Sequence, residues 1–171
     1  MNEVLYNLSG ATGDDRWART GDRFNKKIFF TPLALRRDEL YELHANTHIP
    51  QVIGAARRYE LSSDYRFRDV SEFFWETVTE ARTYATGGSG NAEAWLTHPN
   101  HLSVEMKASS HHQECCCSYN MMKLTRHLYG WTAIPDSSTT MSAISSIIDR
   151  TRGAITASCG MKSSRLQLSS G

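Results

Sequence analysis

The chain has 171 residues, of which 40% are hydrophobic and 22% are charged, and its formal net charge is +1. This length is enough for one domain with a real core. A balanced charge without a Lys/Arg-rich run argues against a nucleic-acid partner. No apolar stretch approaches the ~20 residues that are needed to span a bilayer. The N-terminal residues also lack the basic start and the apolar run of a signal peptide. We therefore expect no nucleic-acid partner, no membrane partner and a cytoplasmic location.

Aromatic residues divide the chain into two regions. All 17 lie at or before Trp131, whereas residues 132–171 contain 10 Ser and 5 Thr. Such a segment buries little apolar surface, so we predict a domain over residues 1–131 and a poorly ordered tail over 132–171. DNA able to encode residues 136–150 can also encode, in a shifted frame, an aromatic-rich amphipathic helix. We therefore hypothesise a frameshift near Pro135.

Apolar residues up to the end of the first region recur at helical spacing. The pattern predicts an N-terminal helical segment with Trp17, Phe24 and Ile28 on its buried face. It predicts three further helices with apolar stripes over residues 47–64, 65–85 and 115–129. Thr47 is the expected N-cap of the first of these, with Pro50 in its first turn. No run alternates convincingly with period two, so the predicted fold class is all-α.

The connections between the predicted helices are of two kinds. The phrases TGDDRW at 12–17 and SSDYRF at 62–67 are similar, and each precedes a predicted helix. Their spacing of ~50 residues predicts repeated helical hairpins, as in a helical toroid or solenoid. Residues 86–113 instead form a long irregular stretch, and long loops in helical domains often carry function.

The segment HHQECCCSYNM at 111–121 places three cysteines after a glutamate and two histidines. Neighbouring cysteines strain to bridge each other, and Cys159 is the only distant partner. A disulfide framework is therefore not expected, and a reducing compartment is.

The same segment predicts either a metal site or buried thiols. Glu114 and Cys116 can face one site at the start of a helix, where the helix dipole lowers thiol pKa values. Zinc accepts thiolate, imidazole and carboxylate ligands together, and His111 and His112 are available as further ligands. The alternatives are that Cys116 and Cys117 are small buried hydrophobes and that the two histidines are solvated.

Two other groups are candidates for polar chemistry. His44 and His48 lie one helical turn apart, which suits a metal or polar ligand, but the Glu of an HExxH zinc-protease motif is missing. Glu93 lies in the Gly-rich loop beside Trp95, and sugar-cleaving enzymes hold a proton donor beside an aromatic surface to raise its pKa. The alternative is that these residues have no chemical role: the histidines are then structural, and the loop glutamate is simply solvated.

Three stretches carry a resemblance to a known family: LHANTHIPQVIGAARRYEL, YATGGSGNAEAW and ECCCSYNMMKLTRHLYGWT. They resemble glycoside hydrolase family 127, the β-L-arabinofuranosidase-like enzymes, from Met1 to about Trp131. The resemblance implies an (α/α)6 barrel, a helical toroid, of which this chain would be a partial barrel. It also implies a retaining glycosidase that acts on non-reducing-end β-L-arabinofuranosyl or related linkages of a carbohydrate. In that family a zinc-bound cysteine thiolate is the nucleophile and a glutamate is the acid/base.

The resemblance assigns roles to particular residues. The zinc-ligand pair E-x-C falls on Glu114 and Cys116, and the acid/base falls on Glu93. The histidine that contacts the sugar best matches His44, with His48 as its neighbour. Cys117 is expected to pack into the apolar face of its helix.

Several positions depart from the family pattern. Ala92 replaces the usual glycine before the acid/base, and Cys115 stands where the family has Ser or Thr. The family's nucleophile and last zinc ligand come from a second Cys-Cys pair further downstream, and Cys159 lacks the matching context. We therefore expect an incomplete zinc site and a chain that is inactive alone. The alternatives are a truncated, non-catalytic gene product without a selected activity, and a thiol- or metal-binding protein.

Overall fold

The computed structural model describes residues 1–96, 98–108 and 111–132. Seven helices lie in these ranges: α1 Asn2–Thr12, α2 Asp15–Asp22, α3 Lys27–Ala34, α4 Ala45–Ser62, α5 Tyr65–Ala81, α6 Leu102–Ala108 and α7 Cys115–Thr132. The same ranges contain isolated β-bridges but no strand, so the all-α prediction is confirmed. No helix among them is both long and apolar enough to cross a lipid bilayer. The predicted tail lies outside the described residues from position 133 onward, and so does Cys159.

The two similar phrases form the same helix–turn–helix connection. α1 is followed by Gly13 at φ 70°. The Asp14 side chain then accepts a hydrogen bond from the backbone N–H of Arg16, the second residue of α2. α4 is followed by Ser63 at φ 56°, and Asp64 accepts the equivalent bond. A left-handed residue and an Asp N-cap therefore end one helix and start the next at both places. The predicted recurrence of helical hairpins is present at α1–α2 and α4–α5.

The N-terminal region is helical, but its helical spacing does not continue through one helix and the residues that show it are exposed. The chain breaks between α2 and α3 at residues 23–26, and Trp17, Phe24 and Ile28 are 39%, 47% and 86% exposed. α2 instead buries Gly21 against Tyr6 of α1, so closely that a Cβ on Gly21 would lie 2.7 Å from the tyrosine ring. Close approach of the two helices, rather than a large apolar stripe, decides which face of α2 is buried.

α4 is the central helix of the described fold, since it packs against α1, α5 and α7. The three predicted stripes meet in one core, whose members include Ile53 of α4, Phe74 and Val78 of α5, and Leu124 of α7. Each of these side chains is fully buried, and full burial of a large apolar side chain stabilises the fold by ~1.5–3 kcal/mol. Tertiary packing therefore fixes the directions of α4, α5 and α7, and with them the positions of their ends.

The start of α4 differs from the prediction. The helix begins at Ala45 rather than at Thr47, which places Pro50 in its second turn. The backbone N–H of Ala45 donates to the carbonyl oxygen of Glu93 at 2.7 Å. A distant loop carbonyl thus satisfies the first donor of the helix, a task that the sequence pattern assigns to a local cap.

Candidate active site

A loop over residues 89–95 lies between the N-terminal ends of α4 and α7. Its backbone pairs with the segment before α4 through Trp95 N–H to Leu43 O (3.1 Å) and with the segment before α7 through Ala92 N–H to His111 O (2.9 Å). The two helices also touch directly, since Asn120 donates a side-chain hydrogen bond to Asn46 at 2.9 Å. The candidate residues before α4, in the loop and before α7 are therefore neighbours.

The loop is held in an unusual backbone conformation. Gly90, Ala92 and Glu93 have φ values of 85°, 47° and 68°, and a non-glycine residue in this region costs roughly 1–3 kcal/mol. Trp95 anchors the end of the loop, because its indole is 1% exposed and packs edge-on against Phe74 at 5.8 Å. The indole thus lies in the core and forms no exposed aromatic surface beside Glu93. The loop is thus anchored in the core at Trp95, while the Glu93 side chain is exposed.

Glu93 and His44 are in side-chain contact beside the N-terminal end of α4. Oε2 of Glu93 lies 3.2 Å from Nε2 of His44, and the two side chains are 60% and 40% exposed. His44 precedes α4 with extended backbone (φ −65°, ψ 113°), which releases its side chain from the helix. Its Nδ1 atom is buried and has no hydrogen-bond partner among the described residues. Both side chains are partly exposed, so an incoming ligand can reach them.

The side chain of His48 lies in a different environment from the Glu93–His44 contact. Its Nδ1 atom lies 2.8 Å from the carbonyl oxygen of His44, and its ring packs against Phe29 with centroids 4.7 Å apart. Burial lowers the pKa of His48 below its ordinary value. The two histidines of the HANTHIP segment thus differ in environment: the side chain of His44 contacts Glu93, and that of His48 contacts the protein interior.

A thiol–carboxylate cluster lies at the start of α7. Glu114 directly precedes the helix, and its carbonyl oxygen accepts bonds from the N–H groups of Cys117 and Ser118. The thiol of Cys116 donates to Oε2 of Glu114 at 3.4 Å. One ligand atom from each of Glu114, Cys116 and Cys117 lies within 4.8 Å of the others. Glu114 and Cys116 therefore face one site, as the sequence indicated, and Cys117 faces it too.

The expectation of low thiol pKa values is wrong. Burial raises the pKa of Cys116, and the hydrogen bond and charge of Glu114 raise it further. Burial also raises the pKa of Cys117, and the charges of Cys116, Glu114 and Glu93 add to this effect. Desolvation and adjacent negative charge outweigh the helix dipole here, since both disfavour a thiolate. The influence of Glu93 on Cys117 also shows that the loop pair and the cluster share one neighbourhood.

The donor atoms of the cluster fit zinc. One carboxylate oxygen and two sulfurs are ligand types that zinc takes together. The other candidates from the sequence are placed apart from these three: His112 packs against Tyr84 with centroids 5.9 Å apart, and the His111 carbonyl accepts the bond from Ala92. Cys115 begins α7 and is outside the three-residue cluster.

Sequence reasoning missed two contributors to this site. Cys117 was expected only to pack, although its position next to Cys116 was a signal that both thiols could converge. Asn46 and Asn120 carry no recognisable pattern, because their contact joins two helices that are far apart in sequence.

Fold and site together describe an all-α domain in which an exposed acid–imidazole pair adjoins a set of metal-type donors, the make-up of a catalytic domain. A family model described as beta-L-arabinofuranosidase, GH127 catalytic domain, matches residues 1–142. The chain therefore belongs to this family of glycoside hydrolases, a helical-toroid family whose substrates are carbohydrates. The matched range extends beyond Trp131 into the segment predicted as a tail. No curated protein matches the chain.

Proposed function

We propose that this chain belongs to a retaining glycoside hydrolase that acts on non-reducing-end β-L-arabinofuranosyl or related linkages. The observation that carries the proposal is the meeting of two groups at the adjoining ends of α4 and α7. One is the Glu93–His44 pair at 3.2 Å, and the other is the cluster of Glu114 and Cys116 at 3.4 Å. Backbone hydrogen bonds join the loop of Glu93 to the segments before α4 and α7, and glycoside hydrolysis requires two such reactive groups close to one sugar.

Glu93 is the proposed acid/base residue. Its carboxyl group is exposed, so Oε2 can give a proton to the departing sugar oxygen and later take one from water. Nε2 of His44 lies 3.2 Å from Oε2 and can form a hydrogen bond that orients the carboxyl group. The strained backbone of the loop and the bond from Ala45 N–H to the Glu93 carbonyl keep the carboxyl group in place.

His44 is the proposed sugar contact, and His48 is proposed to support it. The imidazole of His44 is partly exposed, so a sugar hydroxyl can bond to it. His48 holds the His44 carbonyl through a 2.8 Å contact and thereby fixes the residue that precedes α4. The effect of His48 on binding is then indirect and smaller than that of His44.

Glu114 and Cys116 are the proposed zinc ligands. A thiol bound to zinc loses its proton at neutral pH, which is the chemistry that the metal would supply beside the sugar. Without a cation, burial and Glu114 raise the pKa of Cys116 and keep it as a thiol. The thiolate nucleophile that the family resemblance implies is not one of the residues assigned here.

Binding of two mirror-image sugars tests the proposal. Calorimetry or ligand-observed NMR compares methyl β-L-arabinofuranoside with methyl β-D-arabinofuranoside, which carries the same groups in the opposite hand. We expect the L-sugar to bind more tightly, and His44→Ala or Glu93→Gln to weaken it by about 10-fold or more, as for loss of a hydrogen bond to a charged group. Glu76→Gln, at an exposed ion pair with Arg36, is the control. Equal binding of both sugars, or binding indifferent to both substitutions, would favour the non-catalytic alternative.

A further inference from the structure

We propose that Cys117 is a third ligand, with Glu114 and Cys116, for a divalent cation that prefers thiols, such as Zn²⁺. The inference rests on the proposed metal role of Glu114 and Cys116. It adds a residue for which the sequence predicted only packing, and three ligands then come from the start of one helix.

The spacing of the three side chains suits one ion. Their ligand atoms lie within 4.8 Å of one another, and the Cys116 sulfur is already 3.4 Å from the Glu114 oxygen. In a tetrahedral zinc site with Zn–S bonds of about 2.3 Å and Zn–O bonds of about 2.0 Å, neighbouring ligand atoms are roughly 3.5–3.8 Å apart. A movement of about 1 Å is therefore enough for all three atoms to reach one ion.

The surroundings of Cys117 hold its sulfur ready for such an ion. The residue is 1% exposed and its side chain is part of the α7 face that packs into the core, so its position is fixed from the protein side. Glu114 and Cys116 are only half-buried and leave the other side open. Packing alone needs only a small apolar side chain here and does not require a sulfur that faces a carboxylate and a second thiol.

Local charge also favours a cation. Glu114 contacts the Cys116 thiol, Glu93 lies in the loop paired with the segment before α7, and both carboxyl groups carry negative charge when ionised. A divalent ion would balance these charges and the two thiolates that its binding creates. Three ligands from one helix end leave a fourth position for water, another side chain or substrate.

Cadmium titration measures the number of thiolates bound. Cd²⁺ takes the same ligands as Zn²⁺ and gives an ultraviolet absorption band for each thiolate that binds it. The full chain with Cys159→Ser is compared with the same chain carrying Cys117→Ser, Cys116→Ser or Cys115→Ser. We expect the absorbance per bound Cd²⁺ to fall to about half with either Cys116→Ser or Cys117→Ser. The matched control Cys115→Ser, one position away in the same turn, is expected to keep the full band.

Proton release is a second measurement. It is made on the chain without a substitution at Cys116 or Cys117, so it does not require these variants to fold. Each thiol that binds a metal loses one proton, so Cd²⁺ bound by both thiols releases about two protons per ion in weakly buffered solution. One proton per ion, or a full absorption band in a folded Cys117→Ser chain, would overturn the role of Cys117. If Cys116→Ser alone then removes binding, the proposed zinc pair stands without Cys117. If the unsubstituted chain binds no Cd²⁺, both metal assignments fall, and the sugar-binding test of Glu93 and His44 remains separate.

Discussion

Asn120 of α7 donates a hydrogen bond of 2.9 Å to the side-chain oxygen of Asn46 in α4, next to the candidate site. Asn46 is two residues after His44, and Asn120 is one helical turn after Cys116. The amide pair therefore ties the end of α4 that carries the imidazole to the end of α7 that carries the thiols. This hydrogen bond is one of the contacts that hold the two helix ends together.

A double-mutant cycle at this amide pair tests its contribution. We expect Asn46→Ala and Asn120→Ala each to lower the free energy of unfolding by about 0.5–1.5 kcal/mol, the usual value for one hydrogen bond between side chains. The double variant should lose less than the sum, because both changes remove the same bond. Urea unfolding followed by circular dichroism measures all four chains. Strictly additive losses would mean that the two residues do not cooperate.

Glu114 controls the ionisation of Cys116. Burial raises the pKa of the Cys116 thiol, and the carboxylate of Glu114 raises it further. Glu114→Gln removes the negative charge, so the pKa of Cys116 should fall and alkylation by iodoacetamide should become faster at pH 8. Mass spectrometry of the labelled residue across a pH series gives this pKa directly.

Glu72→Gln is the matched control for the alkylation experiment, since Glu72 pairs with Arg68 within α5. It should leave the pH profile of Cys116 unchanged. An unchanged or higher pKa of Cys116 in Glu114→Gln would contradict the contact between the two side chains.

Those parts of the fold that follow from local chemistry could be predicted from the sequence. The apolar stripes of α4, α5 and α7 meet in the core as expected, and Asp14 and Asp64 cap their helices next to left-handed turns. Helical periodicity and capping side chains act within a few residues, so they are readable in a single sequence.

Features that depend on distant segments were not predictable in this way. The contact of Gly21 with Tyr6 of α1 buries a different face of α2 from the one that carries Trp17, which is exposed. α4 starts early because the carbonyl of Glu93 receives its first N–H. The raised pKa of Cys117 likewise comes from burial and from carboxylates that only the fold brings near. The sequence resemblance indicated candidate residues, whereas their distances needed the structure.

A buried ion pair supports the two chain segments that lead into the site. Arg82 follows α5, Asp38 lies between α3 and α4, and their side chains are 3% and 17% exposed with an Nη2–Oδ2 distance of 2.8 Å. Asp38→Asn leaves the guanidinium buried without its counter-charge, so we expect a loss of about 3–5 kcal/mol in the free energy of unfolding. Glu76→Gln breaks the exposed pair with Arg36, and its loss should stay below about 1 kcal/mol. Similar losses in the two variants by urea unfolding would show that burial does not decide the strength of these pairs.

A second polar cluster joins α4 and α7 at their opposite ends. Glu60 accepts from Nδ1 of His127 at 2.6 Å, from Arg57 at 2.8 Å and from Trp131 at 3.3 Å. Burial alone would raise the pKa of Glu60, but the bonds from His127 and Arg57 outweigh it, and the pKa lies below its ordinary value. The two helices are thus held together at both ends, by the asparagine pair beside the site and by this carboxylate away from it.

The lowered pKa of Glu60 makes part of the stability depend on pH. A carboxyl group with a folded-state pKa below its unfolded value stabilises the fold fully above the unfolded value, which is about 4.3 for Glu, and loses this contribution as the pH falls through the folded value. We therefore expect Glu60→Gln to lower the free energy of unfolding at pH 7 and to flatten its decline below about pH 5. Urea unfolding at a series of pH values measures both effects, with Glu72→Gln as a control on α5. If Glu60→Gln and the unsubstituted chain lose stability in parallel below pH 5, the bonds at Glu60 do not stabilise the contact between α4 and α7.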